Sequence, residues 1–407
     1  MGIRLLLDAT AIPAERGGVG RYVDNLVVAL AAEGADVVVA CQRRDAAAFD
    51  AAGATVHPLH PVGERRPVRL AWEQSGLPLL AHSVRADVVH CPHYTMPLVP
   101  GRPVVVTLHD VTFFSDPGRH LAHKAVFFRA ATRHAVRSAA VCIVPSEVTR
   151  SEVTRWAGPV RCPLEVVPHG VDGSVFHPPT AAERAASARR LGVRDGHYLA
   201  FLGAFEPRKN VPALIRGWVQ ACRGLADPPP LALAGGAGWD REVAAAQALV
   251  PAPLQLIRVG YLPAQQLRAL LGGAALVVYP SHGEGFGLPV LEAMACGGTV
   301  LTTRRLALPE VGGDAVAYCG TRPEEIAAAL CALLADPGRR AALAAAARER
   351  ARGFTWQACA RTHLAVYERA ASRAGSATGG VRTGAARPVF HAFFRLRAFG
   401  GRNPAGR

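Results

Sequence analysis

The chain has 407 residues, enough for two domains of ordinary size, each with its own hydrophobic core. Its nine cysteines are scattered without a Cys-x-x-Cys pair, which favours a reducing, cytoplasmic setting over a secreted disulfide scaffold. No apolar run approaches the roughly 20 residues of a membrane span. The opening segment is interrupted by Asp8 and is too short for a secretory signal. The composition therefore predicts a two-domain cytoplasmic protein.

The net charge of +15 predicts an acidic partner: a phosphorylated ligand, a membrane surface or a nucleic acid. Residues 371–407 carry seven arginines and no acidic residue, so almost half of the excess charge lies there. Elsewhere the cations are dispersed and aromatic residues make up only 6% of the chain, which argues against a nucleic-acid partner.

Residues 372–407 are predicted to form a basic, flexible tail because glycine, serine, alanine and arginine dominate until a phenylalanine-rich patch. Two interpretations of this tail stay open. The patch at Val389–Phe399 is either a peripheral contact at the inner face of the membrane or a segment without a binding role.

Short apolar runs alternate with longer helical patterns along the chain, as in parallel α/β folds. In the first half the predicted strands are Ile3–Leu7, Asp36–Ala40, Asp87–His90, Val104–His109, Val141–Pro145 and Leu164–Val167. Helical stretches follow them, for example Arg21–Glu33 and Arg119–Ser138. In the second half they are Tyr198–Gly203, Leu231–Ala234, Leu254–Val259, Ala275–Tyr279 and Thr299–Thr302, with helices at Asn210–Arg223, Arg241–Leu249 and Pro263–Leu271.

This order predicts an α/β protein of two doubly wound, Rossmann-like domains, residues 1–172 and 196–352, that face each other across a cleft. The linker between them is poor in strand signals. A last helix, residues 354–371, has Thr355 as its predicted N-cap. In such sheets ligands bind beyond the carboxyl ends of the strands, so the motifs at those ends are candidates for the site.

The first candidate is the glycine-rich loop after the first strand, Gly17-Gly18-Val19-Gly20-Arg21-Tyr22. Its spacing differs from that of the dinucleotide-binding fingerprint. A loop of this kind is either a tight turn or a close backbone approach to a phosphate, and the pattern alone does not decide between them.

The second candidate is His109-Asp110, at the carboxyl end of the apolar strand Val104–Leu108. The chain has fifteen histidines, and a lone histidine is more often a packed or exposed residue than a ligand. The position at a strand end is what makes this pair a candidate.

The third candidate is Arg208-Lys209, between the first strand of the second half and the helix that follows. Two adjacent cations near a helix N-terminus would reinforce the helix dipole and neutralise a diphosphate. The alternative is a solvated basic loop.

The most informative stretch runs from Ser281 to Gly297, between a buried strand and a helix opened by Pro289. Its glycines let the backbone approach a ligand, and the free N–H groups of the new helix suit a phosphate or a sugar hydroxyl. Glu284 lies in the loop and Glu292 in the helix, so they would contact different parts of one ligand. A carboxylate can hold two neighbouring hydroxyls, as a sugar ring or a ribose offers.

This stretch resembles the signature of the retaining glycosyltransferases with a GT-B fold, the large family 4 (group 1) of nucleotide-sugar-dependent enzymes. The resemblance extends over about residues 1–370 through five motifs in the same order. The chain differs from the family's pattern at Thr299, where proline is common, and at His169, which replaces the asparagine of an Asn-Gly-Val-Asp segment. Glu310 also fits the family, as a residue that caps or supports the site.

The resemblance implies three residues at the reaction centre: Glu284 on the donor sugar, His109 near that sugar, and Asp110 beside the histidine or the acceptor. The implied donor-binding residues are Gly17, Gly18, Arg208, Lys209, Gly285, Phe286, Gly287, Leu288 and Glu292. Within that set, the two cations would bind the diphosphate and Glu292 the ribose. The resemblance also implies that the helix at 354–371 crosses back onto the first domain.

The predicted function is therefore transfer of a hexose, with retention, from a nucleoside diphosphate sugar to a hydroxyl of a glycan or lipid-linked acceptor in cell-surface polysaccharide synthesis. By resemblance the sugar is mannose and the donor GDP-mannose, with a UDP-sugar left open. No metal, other cofactor or nucleic acid is expected. Two alternatives remain, namely a sugar-nucleotide epimerase of the same fold and a non-catalytic basic protein that binds nucleotide or a membrane surface.

Overall fold

The structure is a computed structural model, and it describes residues 2–377. The strands of the first domain are β1 (Arg4–Asp8), β2 (Asp36–Cys41), β3 (Thr55–Pro58), β4 (Val88–Cys91), β5 (Val104–Thr107), β6 (Val141–Val144) and β7 (Leu164–Val166). Its helices are α1 (Gly18–Ala32), α2 (Ala46–Ala51), α3 (Arg66–Ser83), α4 (Thr112–Ser115), α5 (Ala122–Ser138) and α6 (Glu147–Trp156).

The second domain repeats this alternation. Its strands are β8 (Leu199–Leu202), β9 (Leu231–Ala234), β10 (Leu256–Gly260), β11 (Leu276–Tyr279), β12 (Val300–Thr303) and β13 (Ala317–Cys319). The helices from the linker onward are α7 (Ala181–Leu191), α8 (Val211–Cys222), α9 (Glu242–Ala248), α10 (Ala264–Gly273), α11 (Leu288–Ala295), α12 (Leu308–Gly312), α13 (Pro323–Leu334), α14 (Pro337–Ala351) and α15 (Trp356–Ala377).

Both sheets are parallel and doubly wound, which confirms the predicted fold class. Within residues 2–377 the first sheet has seven strands in the order β3-β2-β1-β4-β5-β6-β7, and the second has six in the order β10-β9-β8-β11-β12-β13. In each sheet the order reverses beside the first strand of the domain. Such a switch point leaves a crevice at the carboxyl ends of the strands, and the two crevices border one cleft.

The strand sequences are continuous apolar runs because both faces of each sheet are covered by other parts of the protein. In β1, Leu5, Leu6 and Leu7 are all buried, and successive side chains point to opposite faces. Leu5 and Leu7 pack into the core that includes α1, whereas Leu6 packs with Leu77 of α3 on the other face. The first sheet is thus a central layer between two helical layers.

The last described helix, α15, packs on α1 of the first domain through a buried chain of hydrogen bonds. The Nδ1–H of His363 donates to the carbonyl oxygen of Cys359 (2.8 Å), so its Nε2 accepts from the hydroxyl of Tyr22 (2.8 Å). Tyr22 in turn contacts the hydroxyl of Thr107 in β5 (3.0 Å).

The same chain continues to a second tyrosine of α15. The hydroxyl of Thr107 lies 2.8 Å from Nε2 of His90, and Nδ1 of His90 lies 2.9 Å from the hydroxyl of Tyr367. Burial lowers the pKa of His363 to about 4 and that of His90 well below its usual value, so both rings are neutral. Each group in this chain can then donate its hydrogen bond to the next, from the hydroxyl of Tyr367 to the carbonyl oxygen of Cys359.

Two strands, part of the linker and the helices α13 and α14 were not predicted from the sequence. The edge strands β3 and β13 are short, and β3 is half-exposed, so neither shows a strong apolar run. The linker contains α7, which starts with a capping box between Thr180 and Glu183. Helix α1 begins at Gly18, inside the segment expected to be a loop.

The final helix also differs from the sequence prediction in length. Thr355 accepts a hydrogen bond from the backbone N–H of Ala358 (3.2 Å), as expected of its N-cap. The helix continues past residue 371 to Ala377, so the first residues of the predicted tail are helical. The phenylalanine-rich patch lies outside the described residues.

Replacing Tyr22 with phenylalanine should destabilise the attachment of α15. The change removes one hydroxyl and leaves Nε2 of His363 and the hydroxyl of Thr107 without their buried partner, which should cost about 1–3 kcal/mol in free energy of unfolding. Urea unfolding would measure this loss. The matched change Tyr261→Phe, at an exposed tyrosine, should have little effect, and equal losses in the two variants would contradict this role of Tyr22.

Candidate active site

A cavity of about 710 Å³ lies between the two domains, at the carboxyl ends of their strands. Every residue predicted for the site contributes to its lining: Gly17, Gly18, His109, Asp110, Arg208, Lys209, Glu284, Gly285, Phe286, Gly287, Leu288 and Glu292. The first four come from the first domain and the others from the second. The fold thus brings separate motifs to one place, while the individual roles of these residues remain predictions.

Glu284 is the centre of a dense ionic cluster in the second domain. Its carboxylate accepts hydrogen bonds from Lys209 (2.8 Å), Ser281 (2.7 Å) and Tyr279 (3.0 Å). The guanidinium of Arg208 donates to the other carboxylate oxygen and to the carbonyl oxygen of Gly283 (2.8 Å). The carboxylate is thereby fixed between two cations and two hydroxyls.

The cluster stays charged although it is buried. Burial raises the pKa of Glu284, but Arg208, Lys209 and the hydrogen bonds from Lys209 and Ser281 outweigh it and lower the pKa to about 2. Burial and the neighbouring Arg208 lower the pKa of Lys209, an effect that Glu284 opposes. For Arg208, burial disfavours the charge, but Glu284, Asp110 and Glu206 raise its pKa above the ordinary value. Glu206 also lies within 3.7 Å of Arg208, so the two cations have two carboxylates beside them.

The loop after Glu284 is positioned by the first domain. A Cβ at Gly285 would lie 1.7 Å from the carbonyl oxygen of His109, so only glycine permits this approach. The carbonyl oxygen of Gly285 accepts hydrogen bonds from the hydroxyls of Ser146 (2.7 Å) and Thr149 (3.0 Å) in the α6 segment. Gly287, with φ of +109°, then turns the chain into α11.

His109 faces the cleft as a neutral hydrogen-bond acceptor. Its Nε2–H donates to the carbonyl oxygen of Pro92 (2.7 Å), which leaves Nδ1 unprotonated. Burial lowers the pKa of His109 to about 4, although Pro92 and Asp110 oppose the shift. Asp110 does not bond the ring of His109; its Oδ1 accepts from the N–H (3.1 Å) and hydroxyl (2.9 Å) of Thr112.

An ion pair that the sequence analysis did not identify connects the two domains. Arg21 of α1 donates to Oε1 of Glu292 in α11, and Oε2 of Glu292 has no hydrogen-bond partner among the described residues. Burial raises the pKa of Glu292, and Arg21 opposes the shift. The only sequence signal was the position of Arg21 directly after the glycine-rich loop.

A second polar contact also joins the two domains. Glu310 of α12 accepts hydrogen bonds from the backbone N–H groups of Glu147 (2.9 Å) and Val148 (2.7 Å) at the start of α6. It thus caps a helix of the opposite domain, where negative charge also suits the helix dipole. The family resemblance gave Glu310 a capping or supporting role but not its partner.

Among residues 2–377, no group of three or more His, Cys, Asp or Glu side chains is arranged to hold a metal ion. Within the same residues, no helix has the length and apolar composition needed to cross a membrane.

Two parallel Rossmann-like domains with a cleft at their strand ends define the GT-B architecture of nucleotide-sugar glycosyltransferases. The family model described as Glycosyltransferase Family 4 matches residues 16–174, and the model described as Glycosyl transferases group 1 matches residues 189–350. The chain belongs to the group 1 glycosyltransferases of family 4, and each of its domains matches one model.

The chain is also similar to individual glycosyltransferases. The chain is 29% identical to O-antigen chain mannosyltransferase B of Escherichia coli, over 69% of this chain and 74% of that protein. It is also 29% identical to D-inositol 3-phosphate glycosyltransferase of Acidothermus cellulolyticus, over 89% and 88% of the two chains. Matches to five further D-inositol 3-phosphate glycosyltransferases span about half of those proteins.

The solved structures support the fold. Anabaena HepE in complex with UDP and glucose superposes with a TM-score of 0.71 at 18% identity, and the match covers 90% of this chain and 99% of that one. At this identity the likeness concerns the architecture and not the ligand.

The ionisation of Glu284 should contribute to stability in a defined pH range. Its pKa is 4.5 as an ordinary glutamate and about 2 in the folded protein, so the charged form favours folding by roughly 3 kcal/mol at neutral pH. Because the folded-state pKa is the lower one, this contribution is complete above about pH 4.5 and is lost as the pH falls toward 2.

Comparison with Glu284→Gln isolates this effect. The wild type should exceed the variant in free energy of unfolding by a constant amount between pH 6 and 8, and the difference should shrink below pH 4.5. The exposed Glu368 provides the control variant Glu368→Gln, which makes the same change in charge outside the ionic cluster. A difference that does not change between pH 7 and 3 would rule out the low pKa of Glu284.

Proposed function

We propose that the protein is a retaining hexosyltransferase that moves mannose from a nucleoside diphosphate sugar to a hydroxyl of a glycan or lipid-linked acceptor in cell-surface polysaccharide synthesis. The observation that supports this most directly is the cluster of Arg208, Lys209 and Glu284 in the cleft between the domains. It combines an anion-binding pair with a fixed carboxylate, as transfer from a sugar diphosphate requires.

Arg208 and Lys209 would bind the diphosphate of the donor. In the structure both cations contact Glu284, Arg208 also pairs with Glu206, and a diphosphate would compete with these carboxylates for the same cations. When the bond to the sugar breaks, negative charge grows on the leaving phosphate, and cations already in place stabilise that charge without reorganisation.

Glu284 would position the sugar and not attack it. Its oxygens already accept hydrogen bonds from Lys209, Ser281, Tyr279 and Arg208, which leaves the carboxylate poorly suited to form a covalent bond. Retention then fits a front-face displacement, in which the departing phosphate oxygen takes the acceptor's proton. Nδ1 of His109, as a neutral acceptor, would receive a hydrogen bond from a sugar hydroxyl.

Glu292 would bind the ribose of the donor. Its free Oε2 is an acceptor for a ribose hydroxyl, and Arg21 holds the other oxygen from the opposite domain. In this arrangement the nucleotide end of the donor would be contacted by both domains. Closure around it would exclude water, which favours transfer over hydrolysis.

The sugar and the base of the donor rest on the comparisons and on resemblance. The Escherichia coli relative is named a mannosyltransferase, which supports mannose, and GDP-mannose is the donor we favour. HepE was solved with UDP and glucose, which keeps a UDP-sugar as the competing choice. We also propose that the basic tail, residues 372–407, brings the protein to the inner face of the membrane.

Thermal unfolding with GDP, UDP, dTDP and ADP, each with and without EDTA, would identify the base. A nucleotide at 100 times its dissociation constant stabilises the native state by about 2.7 kcal/mol, enough to raise the melting temperature measurably. We expect the largest shift with GDP, and we expect it to persist in EDTA because the diphosphate is bound by side-chain cations. No shift with any of the four would argue against a donor site in this cleft.

The double variant Arg208→Ala plus Lys209→Ala tests the diphosphate assignment. It should weaken binding of the preferred nucleoside diphosphate by at least about 100-fold, because two charge-assisted contacts are lost at about 1.5–3 kcal/mol each. Isothermal titration would measure it. The exposed Arg189 and Arg190 of α7 allow a control with the same change in charge, Arg189→Ala plus Arg190→Ala. Unchanged affinity in the cleft variant would refute the assignment.

Transfer itself should depend on Glu284. In Glu284→Ala the rate of mannose transfer should fall by more than about 1,000-fold, because the sugar loses its positioning contact and the two cations lose their fixed geometry. Radiolabelled donor with a mixture of glycan and lipid-linked acceptors would report the rate, and circular dichroism would verify the fold. A folded variant with wild-type turnover would exclude this role.

A further inference from the structure

His169 lies at the point where the chain passes between the domains. The backbone N–H of Val171 donates to the carbonyl oxygen of Phe354 (3.0 Å), and Val171 forms a bridge with Thr355. A Cβ at Gly170 would lie 2.2 Å from the backbone nitrogen of Trp356, so only glycine allows the two segments to come this close. The backbone on either side of the His169 ring is therefore fixed.

The ring of His169 is held in place by aromatic neighbours from both domains. It stacks on Trp356, with ring centroids 6.0 Å apart and planes 21° apart. The centroid of Tyr22 is 4.7 Å away, that of Phe286 is 5.0 Å away and that of His109 is 5.7 Å away. His169 thus borders the cleft beside two residues already placed at the donor sugar.

The ring nitrogens of His169 have no hydrogen-bond partner within the described residues. His169 is only 4% exposed, and neither ring nitrogen hydrogen-bonds to any residue between 2 and 377; Nδ1 is fully enclosed. Buried polar groups are almost always paired, and Nε2, the ring nitrogen that is not enclosed, is the one that a ligand in this cavity can reach. The family's usual asparagine is also a residue with both a donor and an acceptor.

We propose that His169 is a further donor-binding residue, whose imidazole hydrogen-bonds a hydroxyl of the hexose between Phe286 and His109. The inference rests on the proposed function, since it requires a sugar in this part of the cleft. Burial, His109 and His363 lower the pKa of His169 well below its usual value, so the ring is uncharged. An uncharged ring forms no ion pair with phosphate, whereas its Nε2 can donate to or accept from a hydroxyl, depending on the tautomer.

The variant His169→Phe distinguishes the hydrogen bonding of the ring nitrogens from the packing of the ring. Phenylalanine keeps a planar ring against Trp356 and Phe286 but can form no hydrogen bond. Titration calorimetry should show affinity for the free nucleoside diphosphate unchanged within about 2-fold. Affinity for the intact sugar nucleotide should fall by about 3- to 10-fold, the usual value of one neutral hydrogen bond. The matched control His82→Phe, at an exposed histidine on α3 outside the cleft, should change neither affinity.

His169→Asn provides the rescue, because it restores a donor and an acceptor at the family's own residue type. It should recover at least half of the lost selectivity for the sugar nucleotide over the free diphosphate. Equal affinity of wild type and His169→Phe for the sugar nucleotide would overturn the inference. So would an equal loss for both ligands, which would indicate a packing role. If the wild type binds no nucleotide at all, the proposed function fails first.

Discussion

The balance of charge around Glu284 is the constraint on which the site depends. Arg208 and Lys209 lie at the end of a buried strand, where two cations without an anion would be strongly destabilising. Glu284 supplies that anion, and Tyr279 and Ser281 complete its hydrogen bonds. The loop that carries Glu284 is therefore fixed by electrostatics before any ligand arrives, and the start of α11 follows from it.

Three sets of polar contacts join the two domains. Arg21 pairs with Glu292, Glu310 caps α6, and the α6 segment bonds the carbonyl oxygen of Gly285. Polar contacts of this kind can be exchanged for water or ligand groups at small net cost, unlike a packed apolar interface. The domains can thus be held in register while the groups that face the cleft remain available to a substrate.

The sequence was sufficient for the two doubly wound domains and for the motifs that line the cleft, because buried strands and glycine-rich corners leave strong local patterns. It was insufficient where the information lies in a distant partner. The roles of Arg21 and Glu310 depend on residues in the opposite domain, and that of His169 on missing partners that only a structure reveals. The strands β3 and β13 were missed because edge strands are short and need less apolar sequence.

The return of α15 to the first domain makes that domain discontinuous in the chain. During synthesis Tyr22 and His90 emerge early, but their partners in α15, His363 and Tyr367, emerge only after the whole second domain. The first domain cannot complete its polar core until the second domain has been made, although domains generally fold in the order in which they are made. The polar core of the amino-terminal domain can therefore be complete only in chains whose carboxy-terminal domain has also been synthesised.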